Sequence, residues 1–113
     1  MMIGVFCEMG NITAAEEQMN LEQKGLLLVD FCAPWCDVCQ VTWTLSEGLA
    51  EYYEGHLQLR HVDVDEYPEL AARFRVRTVP TLALLRDGEV VERFVGVTTR
   101  EKVCAAVDKV LEM

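Results

Sequence analysis

The stretch LLLVDFCAPWCDVC, residues 26–39, joins an apolar run of strand length to two cysteines, Cys36 and Cys39, that are separated by two residues. The run does not alternate in polarity, which is typical of a central strand covered on both faces. It contains one acid, Asp30, and burying that acid carries a desolvation cost that a core rarely accepts without a use for it. The stretch therefore predicts a buried strand that brings a carboxylate and two thiols together.

The composition predicts one globular domain. A chain of 113 residues is long enough for a single core, which we expect to span 1–113. The formal charge of −9 argues against binding nucleic acid or an anionic membrane surface. The opening MMIGVFCEMG lacks the basic start and apolar run of a signal peptide, and no apolar run is long enough to span a bilayer. We therefore expect a cytoplasmic protein.

Hydrophobic periodicity and turn residues predict the remaining elements. Besides 26–31, the predicted strands are 2–7, 57–64, 81–86 and 90–95, the last two joined by a hairpin at Asp87-Gly88. The predicted helices begin at a capping box at 13–16, at the cysteine pair, at Pro68 and at a second capping box at 98–101. The order β-α-β-α-β-α-β-β-α predicts an α/β fold with a mixed, mostly parallel sheet flanked by helices.

Two of these helices have a predicted apolar face. Residues at helical spacing mark the face of the helix that follows the cysteine pair, which we expect to run to about residue 54: Val38, Val41, Leu45, Leu49 and Tyr52. A similar set marks the last helix: Val103, Val107, Val110 and Leu111. We expect both faces to pack on the sheet.

The position of the cysteine pair favours redox chemistry. A helix N-terminus offers unpaired N–H groups and a partial positive charge, so the Cys36 thiolate is expected to be favoured over its thiol. Cys39 lies one helical turn further on and on the same side, from where its sulfur can close a small disulfide ring with Cys36. One exposed, activated sulfur and one shielded, resolving sulfur are what thiol–disulfide exchange requires.

Other uses of the cysteines are less well supported. Structural zinc usually needs four ligands, and the remaining candidate ligands are scattered: Cys7, Cys32, Cys104, His56 and His61. We therefore predict no metal. A cysteine-protease arrangement would need a histidine with a local signature, which is missing. Cys7 and Cys104 are predicted to be small apolar residues that are buried or half-buried. Cys32 is either a core residue or a secondary redox thiol, and His61 is either an ordinary strand residue or a group that tunes Asp30.

Four segments together resemble the thioredoxin family: VDF at 29–31, APWCxxC at 33–39, VPT at 79–81 and the late Gly96. The resemblance extends over about residues 26–113. It implies a thioredoxin-like fold and a thiol–disulfide oxidoreductase that chiefly reduces protein disulfides, binds no cofactor itself and is recycled by a thioredoxin-reductase-like enzyme.

The resemblance also implies residue roles. Cys36 would be the attacking nucleophile and Cys39 the resolving cysteine, while Asp30 matches a buried carboxylate that relays the Cys39 proton. Pro80 matches the family's cis-proline, whose loop faces the disulfide. The substrate contact surface would be formed by Trp35, Val79, Pro80 and Gly96.

The inner pair Asp37-Val38 departs from the family's usual Gly-Pro. A carboxylate at Asp37 favours a helix start, but its charge beside Cys36 disfavours the thiolate, and Val38 gives up the rigid turn that proline provides. We therefore expect these two residues to tune the redox chemistry, making the dithiol more strongly reducing. Two alternatives stay open: a specialised single-partner oxidase or isomerase, and a redox-inactive docking module with a thioredoxin fold.

Overall fold

The computed structural model describes residues 25–112. The predicted strand at 2–7 and the predicted helix opening at 13–16 lie outside the described residues. Within them the chain forms, in order, β1 (Leu26–Cys32), α1 (Cys39–Tyr52), β2 (Leu57–Asp63), α2 (Pro68–Arg73), β3 (Thr81–Arg86), β4 (Glu89–Val95) and α3 (Arg100–Leu111).

The four described strands form one mixed sheet in the order β2-β1-β3-β4. β1 pairs with β2 in parallel, whereas the β1–β3 and β3–β4 pairs are antiparallel. The mixed α/β fold is confirmed, although the parallel share of this part of the sheet is smaller than expected. Because β3 runs antiparallel to β1 and β1 runs parallel to β2, β3 starts at the end of the sheet where β2 stops.

β1 is the central strand, and all seven of its residues are buried. Its odd-numbered side chains pack under α2, in a cluster with Val62, Leu70 and Phe74. Its even-numbered side chains face α1 and α3, where Leu26 and Leu28 meet Leu49, Val103 and Val107. Because both faces are covered, the apolar run does not alternate, as predicted from the sequence.

The hairpin between β3 and β4 is confirmed. Asp87 and Gly88 both have positive φ, 53° and 88°, which is what a tight turn matched to the strand twist requires. The Asp87 side chain adds a long-range contact, because its Oδ1 accepts a hydrogen bond of 2.8 Å from the Gly25 amide.

The predicted apolar face of α1 is wrong in part. Of its five residues only Leu49 is fully buried, while Val38, Val41 and Tyr52 are 49%, 56% and 66% exposed. The helix instead buries a mixed set: Cys39, Thr42, Trp43, Ser46 and Leu49. The physical reason is Asp30, which is buried on the facing side of β1 and attracts polar partners from α1. The hydrophobic period alone does not show that a buried acid on the facing strand needs polar partners.

The predicted capping box of α3 is displaced by one residue. Thr99, not Thr98, is the N-cap, and its hydroxyl oxygen accepts a hydrogen bond of 3.3 Å from the Lys102 amide. Glu101 therefore occupies the second helical position rather than the third, where a capping-box glutamate would lie. Of the predicted α3 face, Val103 and Val107 are buried, whereas Leu111 is 43% exposed.

Replacing Thr99 by alanine is expected to lower the free energy of unfolding by about 1 kcal/mol, because the Lys102 amide loses its acceptor. Thr98→Ala is the matched control and should have the smaller effect. Urea unfolding of both variants measures the difference. Equal losses, or a larger loss at Thr98, would contradict the assignment of the cap.

Candidate active site

The two cysteines lie where β1 leaves the sheet and α1 begins. In this turn each amide donates a hydrogen bond to the carbonyl three residues earlier. The Cys39 amide donates to the Cys36 carbonyl at 3.2 Å, and the Gln40 amide donates to the Asp37 carbonyl at 3.2 Å. This is 3₁₀-type geometry, and the α-helix itself starts only at Cys39. The prediction that Asp37 lies at a helix start, where its carboxylate would favour the helix, is therefore wrong, since a tighter turn precedes α1 and no acidic residue lies in its first turn.

The two sulfurs differ in their access to solvent. Cys36 is half-buried, whereas Cys39 is 4% exposed, and both are free thiols. Burial, together with the adjacent Cys36 thiol, raises the pKa of Cys39 to about 12. Cys39 is therefore a thiol at neutral pH and needs a base before it can act as a nucleophile.

Asp30 provides a carboxyl group next to this pair. It is fully buried in β1, with Oδ2 lying 3.3 Å from the Ser46 hydroxyl and 3.0 Å from Nδ1 of His61. Burial raises the pKa of Asp30, and its hydrogen bonds to His61 and Ser46 offset that effect only in part. Oδ1 is buried and has no hydrogen-bond partner among residues 25–112, which leaves it able to accept a proton.

His61 links Asp30 to the protein surface. It lies opposite Asp30 in the β1–β2 register, and its ring stacks on Trp43 at a centroid distance of 3.4 Å. Its second ring nitrogen, Nε2, lies 2.8 Å from Oε2 of the exposed Glu47. Tuning of Asp30 is one of the two alternatives that the sequence leaves open for His61. No signal in the sequence points to Glu47, which lies 14 positions from His61 along the chain.

The loop from Val79 faces the end of β1. The Val79–Pro80 peptide bond is cis. The Pro80 carbonyl accepts a hydrogen bond of 2.8 Å from the amide of Gly96, which joins this loop to the end of β4. Gly96 has a φ of 83°, a conformation that favours glycine. Val79 packs against the cluster that contains Cys39 and Trp43.

Trp35 provides the exposed apolar surface beside Cys36. Its side chain is 67% exposed, and the indole Nε1 donates a hydrogen bond of 2.7 Å to Oδ2 of Asp65. Nothing in the sequence indicates this anchor, because Trp35 and Asp65 lie 30 positions apart along the chain. Trp35 also borders an open, mainly apolar pocket of about 280 Å³, which is lined further by Val64, Val76, Arg77, Thr78 and Val79.

The other cysteines are placed differently. Cys32 is fully buried against Cys39 and Trp43, and burial raises its pKa, so it remains a thiol without access to a substrate. This environment favours a packing role over a secondary redox role. Cys104 is half-buried on α3, and Cys7 lies outside the described residues. Between residues 25 and 112, no group of three or more His, Cys, Asp or Glu side chains is arranged to hold a metal ion. No helix in that range is long and apolar enough to cross a bilayer.

Comparisons with known proteins agree on one family. The thioredoxin family matches residues 9–109. A thioredoxin from Staphylococcus haemolyticus is 42% identical over 87 residues, covering 77% of this chain and 84% of that protein. A thioredoxin from Staphylococcus aureus is 38% identical over 98 residues, covering 87% and 93%. The solved structure of a mutant thioredoxin from Halobacterium salinarum NRC-1 superposes with a TM-score of 0.77 at 34% identity, covering 87% and 85%.

Fold, paired cysteines and relatives together define a thiol–disulfide oxidoreductase. The fold is the one the sequence predicted, with the Cys36–Cys39 pair at the end of its central strand. The chain belongs to the thioredoxin family.

Proposed function

We propose that this protein reduces protein disulfides, with Cys36 as the attacking cysteine and Cys39 as the resolving cysteine. The observation that carries the proposal is the contrast between the accessible Cys36 and the buried Cys39, with the carboxyl group of Asp30 buried nearby. A pair of sulfurs with unequal access sets the order in which they react.

In the first step, the Cys36 thiolate attacks one sulfur of a substrate disulfide. The substrate S–S bond breaks, a mixed disulfide to Cys36 forms, and one substrate thiolate leaves. Four residues around the pair would hold the substrate in this step. Trp35 and Val79 offer apolar contact, and the Pro80–Gly96 hydrogen bond holds two loop segments beside it.

In the second step, Cys39 gives its proton to Asp30, directly or through a water molecule. Its thiolate then attacks the Cys36 sulfur, the second substrate thiolate leaves, and the Cys36–Cys39 disulfide remains. Asp30 suits this role because burial raises its pKa toward the range in which it can both take up and release a proton. Two electrons have then passed from this protein to the substrate.

Partners and location follow from the same proposal. A thioredoxin-reductase-like enzyme would return the two electrons, and the substrates would be disulfide-bearing proteins. The proposal places the protein in the cytoplasm as a single domain over residues 1–113, with no cofactor bound to this chain. Its net charge of −9 disfavours strongly acidic substrates.

Reduction of insulin disulfides, with dithiothreitol as the electron source, tests the proposed activity. We expect wild-type protein to accelerate insulin precipitation and Cys36→Ser to lose that acceleration. Cys104→Ser, a half-buried cysteine on α3, serves as the control and should remain active. A wild-type protein without any rate would favour the docking-module alternative, in which Cys36→Ser leaves partner binding intact.

The inner pair is expected to make the dithiol more reducing. Asp37 and Val38 are both exposed in the turn before α1, so replacing them should not disturb the core. The double variant Asp37→Gly/Val38→Pro should raise the reduction potential by roughly 10–20 mV, since removing a nearby negative charge stabilises the thiolate. Equilibration with glutathione measures the potential. An unchanged or lower value contradicts the prediction, and a wild-type value in the oxidising range would favour the oxidase or isomerase alternative.

A further inference from the structure

A continuous chain of polar side chains runs from the buried acid to the surface. Asp30 is fully buried, His61 is 4% exposed, and the Glu47 side chain is 51% exposed. The two links measure 3.0 Å, from Asp30 Oδ2 to His61 Nδ1, and 2.8 Å, from His61 Nε2 to Glu47 Oε2. Stacking on Trp43, with the ring planes 8° apart, holds the imidazole in position between the two carboxyl groups.

The two links require two protons. Each joins a ring nitrogen to a carboxyl oxygen at hydrogen-bond distance, so each must contain a hydrogen. A neutral imidazole between two carboxylates would provide only one. The chain therefore holds an extra proton, either as an imidazolium ring or as a protonated carboxyl group. Burial raises the pKa of Asp30, which favours a protonated Asp30 that donates to Nδ1, while Nε2–H donates to Glu47.

We propose that His61 and Glu47 form a proton relay between Asp30 and solvent, through which the proton of the Cys39 thiol leaves the buried site. The inference rests on the proposed reductase function. It extends the path of the proton from Asp30 to the surface through His61 and Glu47, two positioning residues that affect Cys39 only through Asp30.

The proton count balances over the redox cycle. When Glu47 passes the Nε2 proton to water, His61 takes the Asp30 proton at Nδ1, and Asp30 becomes a carboxylate. The Nε2–Glu47 link has then lost its hydrogen, so the Glu47 side chain, which is 51% exposed, separates from the ring until a proton returns. Asp30 then accepts the Cys39 proton at Oδ1, the oxygen without a partner among the described residues. One proton has left for solvent and one has arrived from Cys39. When the disulfide is later reduced, Asp30 returns a proton to Cys39, His61 returns one to Asp30, and Glu47 delivers one from water to Nε2, which restores the starting tautomer.

A relay can be distinguished from static tuning of Asp30. The titratable groups that face Asp30 are His61 from β2, Glu47 and Cys39 from α1, and Cys32 on β1 itself. His61 lowers the pKa of Asp30 through its hydrogen bond and, when the ring is protonated, through its charge, whereas Glu47 raises it through its charge. Removing His61 should therefore raise the Asp30 pKa and removing Glu47 should lower it, whereas either removal interrupts a relay.

The experiment uses three variants of the full chain. His61→Phe keeps a ring to stack on Trp43 but cannot carry a proton, and Glu47→Gln keeps the side-chain length without a transferable proton. Glu51→Gln, exposed one turn further along α1, is the matched control. Acid-quenched mass spectrometry of the reaction with a peptide disulfide measures formation and decay of the mixed disulfide, and carbon NMR of the Asp30 carboxyl group measures its titration.

We expect the mixed disulfide to decay at least about tenfold more slowly in both His61→Phe and Glu47→Gln. The Asp30 pKa should rise in the first variant and fall in the second, while alkylation of Cys36 and the Glu51→Gln control stay unchanged. Unchanged decay in Glu47→Gln, which alters only an exposed residue, would overturn the relay. Rates that change in opposite directions, following the Asp30 pKa, would also overturn it. A wild-type protein that forms no mixed disulfide would instead refute the proposed function, and the relay with it.

Discussion

Replacing Cys39 by serine is expected to stall this protein as a stable mixed disulfide on Cys36. Cys36 is half-buried and can still attack a substrate disulfide. A serine at the buried position 39 cannot attack the resulting mixed disulfide and release the substrate. Steady-state reduction of insulin should fall by about a thousandfold or more, because a step that requires a nucleophile has lost it. The trapped species should be visible as an added substrate mass by intact-protein mass spectrometry.

Peptide mapping shows which sulfur holds the trapped substrate, and two variants provide the controls. Adding Cys36→Ser to Cys39→Ser should abolish trapping, whereas adding Cys32→Ser should leave it intact, because Cys32 is fully buried. Substrate found on Cys32 would show that the roles of the cysteines are wrongly assigned. Partners trapped from a cell extract would then identify the physiological substrates.

Replacing Asp30 by asparagine is expected to slow resolution of the mixed disulfide at pH 7 by about a hundredfold, because an amide cannot accept the Cys39 proton. The buried Cys39, whose pKa is raised to about 12, would then depend on hydroxide or water as its base. Quenched-flow measurement of mixed-disulfide decay tests this. The slope of the rate against pH should become steeper in the variant. An unchanged rate at pH 7 would exclude Asp30 as the base.

The same substitution is expected to stabilise the fold at high pH. Burial raises the native pKa of Asp30 above its value in the unfolded chain, so between these two values the native state binds more protons than the unfolded state. Wild-type stability contributed by Asp30 is therefore complete below the unfolded pKa and is lost as pH rises through the native pKa. Asparagine has no charge to desolvate, and we expect Asp30→Asn to gain roughly 1–3 kcal/mol at pH 9.

Urea unfolding between pH 4 and pH 9 measures that gain. The stabilisation should shrink as pH falls toward 4, because the native Asp30, whose pKa burial raises, then becomes neutral and no longer carries a buried charge. Glu51→Gln, which removes an exposed carboxylate, should show no such dependence. A gain that is the same at every pH would mean that packing, and not ionisation of Asp30, explains the effect.

Much of the fold was predictable because it is encoded over short distances. The apolar run at 26–31, the Asp87-Gly88 turn and the helix at the cysteine pair depend on neighbouring residues, whose spacing is visible in the sequence. The α3 cap shows where that approach loses precision. Thr98 and Thr99 are adjacent candidates, and only the observed backbone shows that Thr99 bonds the Lys102 amide.

The face of α1 depended on contacts over longer distances. Val38, Val41 and Tyr52 satisfy a helical hydrophobic period and nevertheless point largely to solvent. The helix is oriented instead by the buried Asp30, whose carboxyl group accepts a hydrogen bond from the Ser46 hydroxyl of α1. Amphipathic periodicity measures only the preference of side chains for water, so it does not detect a buried acid on a neighbouring strand that requires polar partners.

By itself, the sequence determined the strand that carries Asp30, the spacing of Cys36 and Cys39, and through them the family and its chemistry. Only the tertiary structure decided that Asp65 anchors Trp35 and that His61 joins Asp30 to Glu47. The physical reason is distance along the chain. Residues 14 to 31 positions apart meet only after strand register and helix rotation are set, and neither is written in local spacing.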